Sequence, residues 1–156
     1  CVLFPTLIPF KTLNNQTMLH HFTDHVNWVS FLLSTLAYFL IGAIWYSFLF
    51  SKAWVRLSNI DMNDPNAKKG AGAIMGISFI FMAISCVGLT IFRQLVPMNN
   101  YTDAFHLGIL LSVGFSTPAI SIGYLYTKKP FALYLIDCGY HIVGLTTASV
   151  VMHYLG

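Results

Sequence analysis

The chain has 156 residues, of which 56% are hydrophobic and only 8% are charged, and its formal net charge is +3. A soluble domain carries roughly 25% charged residues. This composition, with a mean hydropathy of +0.69, therefore excludes an ordinary soluble fold and predicts a protein of the lipid bilayer. The small charge surplus and the lack of a basic stripe with interleaved aromatic residues argue against nucleic acid as a partner.

The N-terminal stretch, residues 1–25, is predicted to lie outside the membrane domain of residues 26–156. Its apolar part is interrupted by Pro5 and Pro9, and it lacks the basic, apolar and small-residue regions of a signal peptide. We expect a flexible leader or a misassigned start, with Met18 as the true initiator.

Four apolar segments follow, at about residues 28–50, 72–96, 104–126 and 131–154. Each can cross a hydrocarbon core of about 30 Å, which needs ~20 helical residues. None alternates as the strands of a membrane barrel would. The TKKP turn from Thr127 is short, so the last two segments should form an antiparallel hairpin. The predicted fold is all-α: a polytopic membrane protein with four transmembrane helices in an up-down bundle.

The positive charges predict the orientation of this bundle. The loops after the first and third segments fall on one side, whereas the other side carries Arg93 and Lys11. The six basic residues of the two loops are Lys52, Arg56, Lys68, Lys69, Lys128 and Lys129. Because cytoplasmic loops are enriched in Lys and Arg, we expect both loops in the cytoplasm and both termini outside it.

Asp137 and His141 stand four residues apart in the last segment, so they share one face of a helix. Counted from Phe131 at 1.5 Å per residue, they lie about 9 Å and about 15 Å into the bilayer. An ionisable residue at such depth is a candidate functional site. The pair could relay protons, bind a cation, or act as a general base with its orienting group. The alternative is a polar clamp that fixes helix packing.

Depth counting also identifies neighbours for this pair. Trp45, Tyr46 and Ser121 should lie near the level of Asp137, and Thr117 near that of His141. Three of these carry hydroxyl groups that could bond to the pair: Tyr46, Thr117 and Ser121. Pro118 frees a backbone carbonyl, and such breaks often line cavities, although a proline kink can also serve packing alone.

Two histidine groups are weak candidates for metal ligands. His106 and His153 should both lie near the outer boundary, on adjacent helices, where two histidines could ligate a metal or haem. His20 and His21 form a second group with Asp24 and His25. Interfacial or solvent-exposed histidines are the simpler interpretation, so we expect no metal and no other cofactor. The chain also lacks the common nucleotide-binding and hydrolase motifs.

Two motifs carry a resemblance to a known family. The first runs from just before the first segment to just beyond its end, and the second is Gly139-Tyr140-His141 in the last segment. The residues of the first motif are Asn27-Trp28, Gly42-Ala43-Ile44-Trp45-Tyr46 and Phe50-Ser51-Lys52-Ala53-Trp54. At this separation, the chain from Val26 to Gly156 resembles the small bacterial integral membrane proteins of domain-of-unknown-function family 1761.

The resemblance implies four transmembrane helices in a bacterial cytoplasmic (inner) membrane, without an established activity. It also implies that Asp137 departs from an Asn-like family position, which shifts the expected common site towards Trp45, Tyr46, Tyr140 and His141. With the residues found by depth counting, the candidate intramembrane polar site comprises Trp45, Tyr46, Thr117, Ser121, Asp137, Tyr140 and His141.

Three functional hypotheses remain open from the sequence. The first is a structural or partner-binding membrane protein whose polar cluster joins helices. The second is a small transporter or channel that uses Asp137 and His141, assembled as a homo-oligomer because four helices leave little room for a pore. The third, which we favour least, is a membrane enzyme with His141 as its base. The lipid bilayer is a partner under all three hypotheses.

Overall fold

The computed structural model describes residues 26–61, 64 and 69–156. The predicted leader, Met18 and the histidine group at His20 and His21 lie outside these residues. The described residues are helical and contain no β-strand, which confirms the predicted all-α class.

The first and third long helices each contain a π-helical segment of five residues. In chain order the elements are α1 (Trp28–Ile44), the first π segment (Trp45–Leu49), α2 (Ser51–Leu57), α3 (Ala71–Leu95), α4 (Tyr101–Leu111), the second π segment (Ser112–Ser116), α5 (Thr117–Thr127) and α6 (Phe131–Leu155). The four long helices of the described chain run over Trp28–Leu49, Ala71–Leu95, Tyr101–Thr127 and Phe131–Leu155. All four are long and apolar enough to cross a membrane, and this indicates a multi-pass membrane protein.

Asn27 caps α1 and also ties the start of that helix to the end of α6. Its side-chain oxygen accepts hydrogen bonds from the backbone N–H groups of Val29 and Ser30, both at 3.1 Å. Its Nδ2 donates to the carbonyl of Leu155 at 2.9 Å. The oxygen of this one amide therefore caps the start of α1, while its nitrogen binds the last turn of α6, where the two helix termini meet.

The second π segment lies immediately before Pro118. The N–H of Thr117 donates to the carbonyl of Ser112, five residues back, instead of the usual four. Proline has no N–H, and its ring collides with the carbonyl four residues earlier in a regular helix. A wider turn relieves that collision, so the proline accounts for the irregularity.

Helix α6 is the central helix of the bundle. Half of the residues in its most apolar stretch are buried inside the protein, compared with 28% or less in the same stretch of the other three long helices. It approaches α4 very closely, since a Cβ added at Gly108 would lie 2.5 Å from the Cα of Thr146. On the same contact, Oγ of Ser149 donates to the carbonyl of Ala104 at 2.6 Å. Small residues thus bring α4 and α6 together, as is common where membrane helices pack without a hydrophobic driving force.

Candidate functional site

The carboxylate of Asp137 accepts hydrogen bonds from two tyrosines of other helices. The hydroxyl of Tyr46, in the first π segment, donates to Oδ1 at 2.9 Å. The hydroxyl of Tyr124, in α5, donates to Oδ2. Hydrogen bonds to an ionised acceptor are stronger than neutral ones. Asp137 therefore joins three separate segments through one side chain.

His141 has a different tyrosine partner. Its Nδ1 lies 2.6 Å from the hydroxyl of Tyr38 in α1. Asp137 and His141 thus share a helix face but each bonds to a tyrosine from another segment. The two residues therefore form two separate links between helices. Their spacing in the sequence had suggested that they act together as a pair.

Tyr140 and Trp45 fill the space around these links. The ring of Tyr140 is buried, with its centroid 4.6 Å from that of His141 and 5.3 Å from that of Tyr46. Its hydroxyl has no hydrogen-bond partner among the described residues. Nε1 of Trp45 donates to the carbonyl of Ile136 at 3.0 Å. This bond fixes the first π segment against α6.

Two glycines make room for these aromatic rings. A Cβ at Gly42 would lie 3.0 Å from Cε2 of Tyr140. A Cβ at Gly139 would lie 3.1 Å from Cζ2 of Trp45. The two motifs noted in the sequence, one in each helix, are therefore the two halves of one packed surface.

Ser121 and Thr117 lie in α5 but do not bond to Asp137 or His141. Oγ of Ser121 lies 2.7 Å from the carbonyl of Thr117 and 3.0 Å from the hydroxyl of Tyr134. Oγ1 of Thr117 is buried and has no hydrogen-bond partner in the described part of the chain. Of the three hydroxyl partners expected from depth counting, the structure brings only Tyr46 to the pair.

Tyr38 and Tyr124 were missed by the sequence reasoning. Both carried a usable signal. Tyr38 is one turn before Gly42 of the family motif, and Tyr124 is three residues after Ser121 of the candidate site, so each shares a helix face with a residue already noted. Depth counting considered the level of each Cα. A tyrosine side chain extends about one turn along the helix axis. The hydroxyl of Tyr124, whose Cα is closer to the loop, therefore makes the hydrogen bond to Asp137 that was expected from Ser121.

A cleft of about 370 Å³ opens beside this cluster. Its lining includes Lys129, in the loop between α5 and α6, and extends to His141. Asp137 and His141 are both partly exposed. The lining residues are Tyr46, Ala119, Ile120, Gly123, Tyr124, Thr127, Lys129, Asp137 and His141. A carboxylate held by two phenols therefore faces a space large enough for a small molecule.

The candidate metal ligands lie elsewhere. His106 is exposed, and the ring of His153 lies edge-on to Tyr101 with centroids 5.3 Å apart. Within residues 26–61, 64 and 69–156, no three His, Cys, Asp or Glu side chains are grouped so that they could hold a metal ion.

Comparison with known proteins identifies a family without an assigned activity. No curated protein and no solved structure matches the chain. The model of the family described as "Protein of unknown function (DUF1761)" matches residues 29–153. That span covers α2 to α5 completely, all but the first residue of α1, and α6 as far as His153. It contains Tyr38, Tyr46, Tyr124, Asp137 and His141. With four helices of membrane-spanning length and both sequence motifs meeting at one site, the chain belongs to the DUF1761 family.

Proposed function

We propose that this protein is a small membrane carrier, which binds a polar solute in the cleft beside Asp137. One observation carries the proposal: the Asp137 carboxylate, held by Tyr46 and Tyr124, lines an open cleft that extends to His141. A carboxylate used only to join helices has no need of an adjoining space. An intramembrane acid beside such a space is typical of a substrate or ion pathway.

The electrostatics of the site favour binding. Removing a carboxylate from water is costly unless it is paired or hydrogen-bonded. The hydroxyls of Tyr46 and Tyr124 supply such hydrogen bonds without adding a positive charge to the site. An ionised carboxylate offers about four acceptor positions, and the phenols use two of them. A solute with a hydrogen-bond donor can occupy the rest.

The proposed orientation puts the Lys129 end of the cleft on the cytoplasmic side. Lys129 lines the cleft, and it belongs to one of the two basic loops that the charge rule assigns to the inner side of a bacterial cytoplasmic membrane. A second copy of the chain would supply the remaining walls of a complete path. The proposal thus includes a homo-oligomer with both chain termini outside the cytoplasm.

Flux through liposomes that contain the purified protein tests the carrier. We expect Asp137→Asn to abolish movement of protons or of the transported solute. Asp103→Asn is the matched control, because Asp103 lies at the start of α4 and bonds to the N–H of Asn99. Flux that survives the double substitution Asp137→Asn and His141→Ala would overturn the proposal.

A structural clamp is the second candidate, and the three bonds from α1 and the first π segment to α6 favour it. They join Tyr38 to His141, Trp45 to the Ile136 carbonyl and Tyr46 to Asp137. If clamping is the whole role, His141→Ala should lower the melting temperature in detergent while liposome flux stays at the level of protein-free vesicles. The third hypothesis, His141 as an enzymatic base, stays a prediction, and Nδ1 of that residue is already engaged by Tyr38.

A further inference from the structure

We infer that the ligand of this cleft is an organic ammonium ion, and that the side chain of Lys129 occupies the ligand's place when the site is empty. The inference rests on the proposed function and deepens it by naming the class of solute. The observation that supports it is the position of the Lys129 ammonium group over the ring of Tyr124.

The Nζ atom of Lys129 lies 5.4 Å from the centroid of the Tyr124 ring. A cation within about 6 Å of an aromatic face is attracted by the electron density of the ring. The same Tyr124 donates its hydroxyl to Asp137. Donation to an anion pushes electron density towards the phenol oxygen and its ring, so this ring is a better cation acceptor than a free tyrosine.

The backbone holds Lys129 in this position. Lys128 has φ of +50°, in the left-handed region, at the C-terminal cap of α5. The N–H of Lys129 then bonds to the carbonyl of Tyr124 at 3.3 Å, and that of Lys128 bonds to the carbonyl of Leu125 at 3.4 Å. This pair of bonds is a Schellman motif. It turns the chain back over the last helical turn, and so it returns Lys129 to Tyr124.

The chemistry of the lining selects a cation over an anion. Asp137 would repel an anion and attract an ammonium group, whose N–H donors fit the acceptor positions that Tyr46 and Tyr124 leave free. Aromatic rings are the usual surroundings of bound quaternary ammonium groups, and here the carboxylate adds a negative charge beside such a ring. The wall at Gly123 carries no side chain, and nothing lies within 4 Å of a Cβ placed there. A compact ammonium head can therefore come up to the carboxylate.

An ammonium group can reach the cleft from two sources, a free amine in solution or the ethanolamine headgroup of a phospholipid. Both present the same chemistry to Asp137 and Tyr124. In either case the ligand must displace Lys129, because one cation already lies over the ring.

Calorimetric titration of the purified full-length protein in a neutral detergent tests the inference. The probes are propylammonium and tetramethylammonium, with propanol and propionate as neutral and anionic counterparts. We expect only the ammonium ions to bind, and Asp137→Asn to remove that binding. Lys129→Gln should tighten it between about twofold and about 30-fold, the range that one cation–π contact is worth. Lys128→Gln makes the same change of charge in the neighbouring residue and should leave the affinity unchanged.

The possible outcomes separate this inference from the proposed function. Asp137-dependent binding of propanol or propionate without ammonium binding would overturn the ammonium assignment and leave the carrier standing. Failure of all four probes, together with Asp137-independent flux in liposomes, would remove both. Ammonium binding that Lys129→Gln leaves unchanged or weakens would overturn the displacement by Lys129. Because Asp137→Asn could fail to fold, Tyr124→Leu provides a second test, and it should weaken ammonium binding.

A further arm identifies the source of the ammonium group. The titration is repeated in nanodiscs of phosphatidylglycerol, with and without phosphatidylethanolamine. Weaker binding of propylammonium in the presence of phosphatidylethanolamine supports the inference with the headgroup as ligand. Equal binding supports it with the free amine as ligand.

Discussion

The hydroxyl of Tyr38 lies 2.6 Å from Nδ1 of His141, and it joins α1 to the middle of α6. Tyr38 is almost fully buried, whereas His141 lines the cleft. The bond therefore connects the packed interior of the bundle with the wall of the proposed binding site. It fixes the orientation of the imidazole ring that faces the cleft.

Substitution Tyr38→Phe should lower the melting temperature of the protein in detergent. It removes the hydroxyl and leaves Nδ1 of His141 without its partner. Hydrogen bonds between membrane helices are worth ~0.6 kcal/mol on average and up to ~1.7 kcal/mol, and we expect a loss in that range. Tyr126→Phe is the control, since Tyr126 is 86% exposed. Equal melting temperatures for the two variants would show that the Tyr38 bond does not stabilise the bundle.

Substitution Trp45→Phe should loosen the first π segment from α6. The indole N–H donates to the Ile136 carbonyl, and phenylalanine cannot replace that donor. We expect faster amide exchange at residues 45–50 and a lower melting temperature, measured by hydrogen–deuterium exchange and thermal denaturation. Trp28→Phe serves as the comparison because Trp28 is exposed at the start of α1. Unchanged exchange at residues 45–50 in Trp45→Phe would contradict the assigned role of the bond.

Substitution Gly108→Ala should destabilise the protein more than Gly76→Ala. A Cβ at Gly108 would collide with the Cα of Thr146, which is backbone and cannot rotate away, whereas nothing lies within 4 Å of one at Gly76. Overpacking of a close contact costs ~1–3 kcal/mol. Alanine is a better helix former than glycine, so Gly76→Ala should be neutral or slightly stabilising. Thermal denaturation of both variants measures the difference, and the reverse order would contradict the close approach of α4 and α6.

A reporter that is active only in the cytoplasm should be silent when fused to the C-terminus. The reason is the positive-inside rule, which assigns the two basic loops to the cytoplasm and the opposite ends of the helices to the other side. The same reporter inserted after Gly70, in the first basic loop, should be active. Activity at the C-terminus together with silence at Gly70 would reverse the proposed orientation.

The hydrophobic pattern was sufficient to predict the four long helices, because a span needs about 20 apolar residues and only helices of that length satisfy the backbone in lipid. Depth along each helix was also largely readable, which is how Tyr46 was chosen as a neighbour of Asp137. The same counting selected Ser121, whereas Tyr124 is the residue of α5 that bonds to Asp137. Counting residues gives the level of a Cα, but the reach of a side chain and the rotation of each helix decide which groups meet.

Composition and periodicity by themselves determined that this is an all-helical chain with four helices suited to a membrane and one polar face on its last helix. These properties depend on the residues of one segment at a time. The tertiary structure alone decided that Asp137 and His141 bond to different tyrosines, that Lys129 lies over Tyr124, and that a cleft opens beside them. Those relations depend on how the helices rotate and how closely they approach one another. Glycines, π segments and a capping turn set these positions, and each contact involves residues from more than one helix, so the sequence of a single segment does not determine it.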